Sequence, residues 1–199
     1  IIEELVTNNI ENNYIFFIEK TPQHYFYVDK ILKDFPNSFF IHVLRDPRDN
    51  YLSLKRRMYD KTSHQYGRPS YHPLEFIDNR IVSSLIFSNL NYKKYPNNYF
   101  IVYYEDIIYG GKDYIKKLAF KIGIEWNDLL LNPTIDGKSW GGNSHNQILK
   151  KNLKAFDKRP IGRWKNNLNK KEVVLSEWII DKFELLSKYK IDKKNNLII

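Results

Sequence analysis

The chain has 199 residues and a net charge of +9, with 32 Lys and Arg against 23 Asp and Glu, and a pI of about 9.4. That is long enough for one domain with a real core, and 42% apolar with 16% aromatic residues excludes a disordered chain. The absence of cysteine excludes disulfides, thiolate metal sites and a Cys nucleophile, and favours a reducing compartment, the cytoplasm over the Golgi lumen. The basic balance points to an anionic partner, with a solvated Lys-rich surface as the plain alternative. No apolar run approaches the ~20 residues that a membrane span needs, so no transmembrane segment is expected.

Taken in chain order, "YIFFIE" at 14–19 predicts a buried strand ending at Lys20. Thr21 suits an N-cap and Pro22 a first helical position. Val28, Ile31, Leu32 and Phe35 then repeat at helical spacing. "FFIHVL" at 39–44 predicts a second strand, after which Asp46 and Pro47 suit the start of a helix with Tyr51, Leu54 and Met58 on its core face. Residues 61–73 read as an exposed loop and 74–95 as a long helix. "YFIVYY" at 99–104 predicts a third strand, and Ile115, Leu118, Ala119 and Ile122 mark a helix stopped by Gly123. Residues 136–146 form a Gly- and Ser-rich loop. Leu175, Trp178, Ile179, Phe183 and Leu186 outline a last amphipathic helix. This alternation predicts an α/β fold with a parallel sheet, in which ligands bind at the carboxyl ends of the strands. Lys20, Arg45 and Tyr104 occupy those ends.

Arg45 stands where a strand meets a helix N-terminus, a place with free N–H groups and partial positive charge. Its guanidinium adds a fork suited to phosphate. Asp49, Ser53 and Arg57 follow at intervals of four, so they share one stripe of the helix. Either this stripe holds an anion, or Arg45 pairs with Asp46 or Asp49 and the rest is solvated. Lys55, Arg56, Arg57, Lys61 and Arg68 read first as solvated charge, and Phe87 and Trp140 as core.

"VLRDPRDNYLSLKRR" resembles the 3′-phosphate-binding segment of sulfotransferases, with Arg45, Ser53 and Arg57 at the matching positions. "IEKTPQHYF" resembles the preceding segment of heparan-type and bacterial members, and "VYYEDI" the family's Tyr-Glu-Asp segment. "GKSWGGNSHN" and "RPIGRWKNNL" resemble the C-terminal loop that closes over the donor. The resemblance implies a P-loop-NTPase-like doubly wound parallel sheet flanked by helices. It implies a single domain over 1–199, the C-terminal two-thirds of the usual one, without the N-terminal strand and its Gly-rich 5′-phosphosulfate loop.

It further implies 3′-phosphoadenosine 5′-phosphosulfate as donor and adenosine 3′,5′-bisphosphate as product, with no metal. Arg45, Ser53 and Arg57 would hold the 3′-phosphate, Tyr104 would lie at the adenine, and Ser144 and Arg159 would contact the donor from the C-terminal loop. Lys20 falls near the transferring group. His24 is a candidate base, a substrate contact or a structural histidine, because cytosolic members carry their His where this chain has Pro22. In the heparan and tyrosylprotein branches the base is an upstream Glu.

The acceptor is a hydroxyl or amine of a carbohydrate, a protein tyrosine or a small molecule. A P-loop kinase is disfavoured, since Gly110-Gly111-Lys112 lacks the earlier Gly of a Walker loop. A non-catalytic nucleotide- or polyanion-binding module is the other alternative. Nucleic acid is not an expected partner, as no recognition motif is present. Residues 1–199 alone are expected to transfer little or no sulfuryl group, and turnover at ordinary enzyme rates overturns that.

Overall fold

Aromatic and β-branched residues at Phe40–Leu44 and Tyr99–Tyr103 form two strands, β1 and β2. They pair in parallel, with Phe40 opposite Tyr99 and Leu44 opposite Tyr103. The structure, a computed structural model, describes residues 18–59, 81–132, 134–135, 138–139 and 156–189. Parallel pairing requires a crossover. Here it runs through α2 (Pro47–Tyr59) and α3 (Ser83–Lys94). Ahead of β1 lie a 3-10 turn, Pro22–Phe26, and α1, Val28–Asp34. After β2 come α4 (Tyr104–Lys121), a 3-10 turn at Asp128–Leu131, and a two-residue hairpin of β3 (Thr134–Ile135) with β4 (Lys138–Ser139). The chain then forms a 3-10 turn at Arg163–Asn166, α5 (Lys170–Lys182) and a last 3-10 helix, Glu184–Tyr189.

Alternation across the pleat divides the sheet into two faces. Leu44 lies on one, and joins Tyr51 of α2, Leu85 of α3, Ile179 and Ile180 of α5, and Leu186 and Tyr189 in one core cluster. Ile101 and Tyr103 pack against it. Phe100 and Val102 point to the other face and are buried, while α4 contacts β2 and carries Lys121 over the Phe100 ring at 4.3 Å. α5 starts with a reciprocal capping box between Asn169 and Glu172. Lys55 of α2 donates to the same Glu172 at 2.5 Å, which ties the two helices together.

Several expectations are corrected. Residues 14–17 of the first expected strand lie outside the described residues, and Ile18 and Glu19 are not in a strand, with Ile18 81% exposed. Thr21 precedes its turn as expected but does not cap it, because its hydroxyl donates to Glu19 at 2.6 Å. Phe35 is exposed, since α1 ends one residue earlier. Residues 61–73, residues 74–80 of the long helix, and the loop at 136–146 apart from the two β4 residues lie outside the described residues. Tyr104 opens α4 rather than ending β2, so that helix starts eleven residues before Ile115. A break at Gly111 (φ 53, ψ −136) separates its two parts, a conformation that favours glycine. Trp178 is 55% exposed. The inward face of α5 is set by Ile179 and Ile180, and the helix ends before Phe183, leaving Leu186 to the last 3-10 helix.

His42 of β1 has a partner at each ring nitrogen: the Tyr99 hydroxyl lies 2.6 Å from Nδ1 and the Ser84 hydroxyl 3.3 Å from Nε2. Burial pushes its pKa down from 6.5 to about 4. The folded chain therefore keeps His42 neutral where the unfolded chain takes up a proton. Stability from this group is intact above about pH 6.5 and is lost progressively as the pH falls to about 4, by roughly 3 kcal/mol in all. Urea midpoints taken from pH 7 to 4 should fall more steeply for the unmodified chain than for His42→Gln; parallel slopes would refute this account.

Candidate anion site at the carboxyl edge of the sheet

Because Leu44 and Tyr103 are paired, Arg45 and Tyr104 leave the sheet side by side. The Arg45 guanidinium carbon sits 4.8 Å from the centre of the Tyr104 ring, a cation–π contact. Burial pushes the Tyr104 phenol up in pKa, against the pull of Arg45, so it is a neutral hydroxyl at physiological pH. Arg45 Nη2 donates to the Pro160 carbonyl at 2.8 Å. Among the described residues its buried Nε has no hydrogen-bond partner, as is also true of Nη1 of Arg48. Neither Asp46 nor Asp49 takes Arg45 as a hydrogen-bond partner, because each carboxylate is engaged elsewhere.

Asp46 starts α2. Its Oδ1 accepts the Arg48 N–H at 2.9 Å, and its carboxylate takes Nε and Nη2 of the Arg48 side chain. Arg48, only 4% exposed, also donates to the Tyr189 carbonyl at 3.1 Å and lies over the Trp164 ring at 4.2 Å. Glu177 of α5 stands 3.9 Å from its Nη1. Glu105, the second residue of α4, accepts the Asp46 N–H at 3.2 Å and the Tyr189 hydroxyl. Burial, followed by that contact with Glu105, pushes the Tyr189 phenol far up. One buried polar network therefore links both strand ends to the last 3-10 helix.

Asp49, in the first turn of α2 and 1% exposed, holds the segment 157–164 over the site. Its Oδ2 accepts the Gly162 N–H at 2.6 Å and its Oδ1 the Trp164 N–H at 3.0 Å. Burial raises its pKa, and these two N–H groups oppose the rise. Gly162 sits at φ 74, which turns the segment so that both N–H groups face one carboxylate.

Of the expected site residues, Arg45 and Tyr104 are brought together, and Ser53 is half-buried on the same helix stripe. Arg57 lies in α2, but its side chain is outside the described residues, as is Ser144. Arg159 belongs to the docked segment and is paired with Asp157 at 2.6 Å; this bond is the main reason the Asp157 pKa is lowered. Lys20 is exposed, and no described strand ends at it. His24 lies in the 3-10 turn with Nδ1 2.9 Å from Glu19 Oε2. Phe87 packs edge-on to Phe26 at 4.6 Å, and Trp140 is outside the described residues. The sequence reading passed over Arg48, Glu105 and Tyr189. The doubled Arg-Asp of "RDPRD" was the available signal, since two such pairs at a helix start exceed what one anion site needs. Among the described residues no group of three or more His, Asp or Glu is placed to hold a metal. Among them, too, no helix is long and apolar enough to cross a membrane.

A family model described as "Sulfotransferase family" matches residues 3–128. Among solved structures, the chain resembles the crystal structure of mouse sulfotransferase SULT7A1 complexed with PAP. The TM-score is 0.52 at 17% identity, over 80% of this chain. The chain spans 65% of the length of that structure. At this identity the likeness shows the fold, an α/β, P-loop-like sulfotransferase fold. Comparison with the curated proteins gives no match.

Removing the Asp49 carboxylate leaves two N–H groups without an acceptor, each worth about 1–3 kcal/mol where buried. Asp49→Ala should lower stability by roughly 2–4 kcal/mol and speed amide exchange at Gly162 and Trp164, leaving the capped start of α5 unchanged. Unaltered exchange at those two amides would remove Asp49 from this role.

Proposed function

Because the chain belongs to the sulfotransferase family, we propose that it transfers a sulfuryl group from 3′-phosphoadenosine 5′-phosphosulfate to a hydroxyl or amine of an acceptor: a carbohydrate, a protein tyrosine or a small molecule. The observation that carries the donor half of this reading is Arg45. It is a guanidinium at a strand end, over the Tyr104 ring, with a buried Nε that makes no hydrogen bond among the described residues. A buried charged donor left unpaired is costly, and an anionic oxygen is the chemistry that satisfies it. The residues present therefore fit the phosphate end of such a donor.

In this reading Arg45, Ser53 and Arg57 hold the 3′-phosphate, and Tyr104 lies against the adenine. Ser144 and Arg159 reach the donor from the C-terminal loop. Arg159 then shares its guanidinium between Asp157 and the donor, as its five N–H groups allow. Lys20, exposed and ahead of the 3-10 turn, supplies positive charge at the reacting end. The family likeness and the order of these residues along the chain support this arrangement. Preorganised cations stabilise the charge that develops on the transferred and leaving oxygens. Residues 1–199 are read as a single domain.

Calorimetric titration with adenosine 3′,5′-bisphosphate tests the donor site. The unmodified chain should bind it, and Arg45→Ala should weaken binding by about tenfold to a hundredfold, the loss of one charge-assisted contact. Affinity should fall with added salt. No binding by the unmodified chain would sink the proposal.

A further inference from the structure

We propose that Glu19 is a positioning residue that fixes the tautomer of His24 and leaves its Nε2 as the proton acceptor of the transfer step. Glu19 Oε2 lies 2.9 Å from His24 Nδ1, and Oε1 takes the Thr21 hydroxyl at 2.6 Å. Both carboxylate oxygens are therefore committed, which fixes the plane of the group. A neutral imidazole with Nδ1–H donated to a carboxylate carries its lone pair on Nε2. Among the described residues His24 Nε2 makes no hydrogen bond, and the side chain is 30% exposed. A base oriented by a carboxylate is an arrangement that general-base and nucleophilic sites use repeatedly.

The other described histidine shows the contrast. His42 has partners at both nitrogens and is buried, so it is part of the framework. The 3-10 turn does not need the Glu19 contact for its own closure. It is closed by its backbone, His24 N–H to the Thr21 carbonyl at 3.2 Å and Tyr27 N–H to the His24 carbonyl at 2.9 Å. Lys20 stands between the two partners in sequence, so one short segment carries a cation for the sulfuryl oxygens and a base for the acceptor proton. The role rests on the donor reading above, which places Lys20 beside the transferring group. In the step, the acceptor oxygen–sulfur bond forms as its proton passes to His24 Nε2. The bond from sulfur to the bridging oxygen breaks, and its electron pair leaves with the 5′-phosphate. Glu19 faces the imidazolium so formed.

The test uses the full chain with ¹⁵N-labelled histidine. Two-bond ¹H–¹⁵N correlation at pH 8 should show His24 as the Nδ1–H tautomer, and Glu19→Ala should return it mainly to the Nε2–H form. Diethyl pyrocarbonate should modify His24 at Nε2 and spare His42. A His24 in the Nε2–H form in the unmodified chain, a tautomer indifferent to Glu19→Ala, or a His24 inert to the reagent would each overturn the inference. Binding of adenosine 3′,5′-bisphosphate, measured alongside, should change less than twofold in Glu19→Ala. A larger loss would make Glu19 part of donor binding and overturn the separate role. Failure of the unmodified chain to bind the nucleotide, with the tautomer as expected, would instead overturn the donor reading.

Discussion

The Arg48–Asp46 ion pair is the contact on which the carboxyl edge of the sheet depends. Both side chains are nearly buried, at 5% and 10% exposure, and taking two charges out of water costs several kcal/mol each unless every donor and acceptor is met. Here the cost is offset by a forked contact to one carboxylate, by the Tyr189 carbonyl and by the face of Trp164. Those partners come from three distant parts of the chain. Pairing most of one guanidinium thus obliges the start of α2, the segment before α5 and the last 3-10 helix to meet at one place.

Glu105 extends the same constraint to the second strand. It binds the Asp46 N–H and the Tyr189 hydroxyl, so the end of β2 cannot shift relative to the end of β1 without breaking a buried network. That fixes Arg45 against Tyr104. Two arginines three residues apart therefore divide the work. Among the described residues each keeps one buried nitrogen without a hydrogen bond, but Nη1 of Arg48 has the Glu177 carboxylate 3.9 Å away, while Nε of Arg45 has neither Asp46 nor Asp49 as a hydrogen-bond partner. A fully paired Arg45 would make a more stable structure and would have less to offer a ligand.

The fold was legible in the sequence where local pattern and burial agree. β1 and β2 lie within one residue of the apolar runs that signalled them, and Asp46-Pro47 starts its helix because a short acidic side chain accepts an N–H there whatever lies beyond. Legibility failed where long-range partners decide. Tyr104 reads as strand by composition, yet the chain turns helical there once Glu105 bonds to Asp46 and Tyr189. Trp178 has the spacing of a core residue, but the inward face of α5 is already filled by its two neighbours, Ile179 and Ile180. Three strand ends, at Lys20, Arg45 and Tyr104, were expected to converge; Arg45 and Tyr104 meet, while no described strand ends at Lys20. The roles of Arg48 and Tyr189 were not foreseen, because a residue whose partner lies more than a hundred positions away leaves no periodic trace. The Glu19–His24 contact is only five residues long and was open to the eye; it was missed because Glu19 was counted as the end of a strand.

The Pro160 carbonyl on Arg45 has a consequence for selectivity. It is a neutral, tethered competitor whose effective concentration is set by the Asp49 contacts to Gly162 and Trp164 rather than by solution. A small monodentate ion such as chloride gains little by replacing one good acceptor with another. A group presenting two oxygens in the guanidinium plane reaches Nε as well as the terminal nitrogens, and gains a bond that the carbonyl never made. In the donor reading proposed above, the docked segment would therefore favour a bidentate oxyanion over a small monodentate ion.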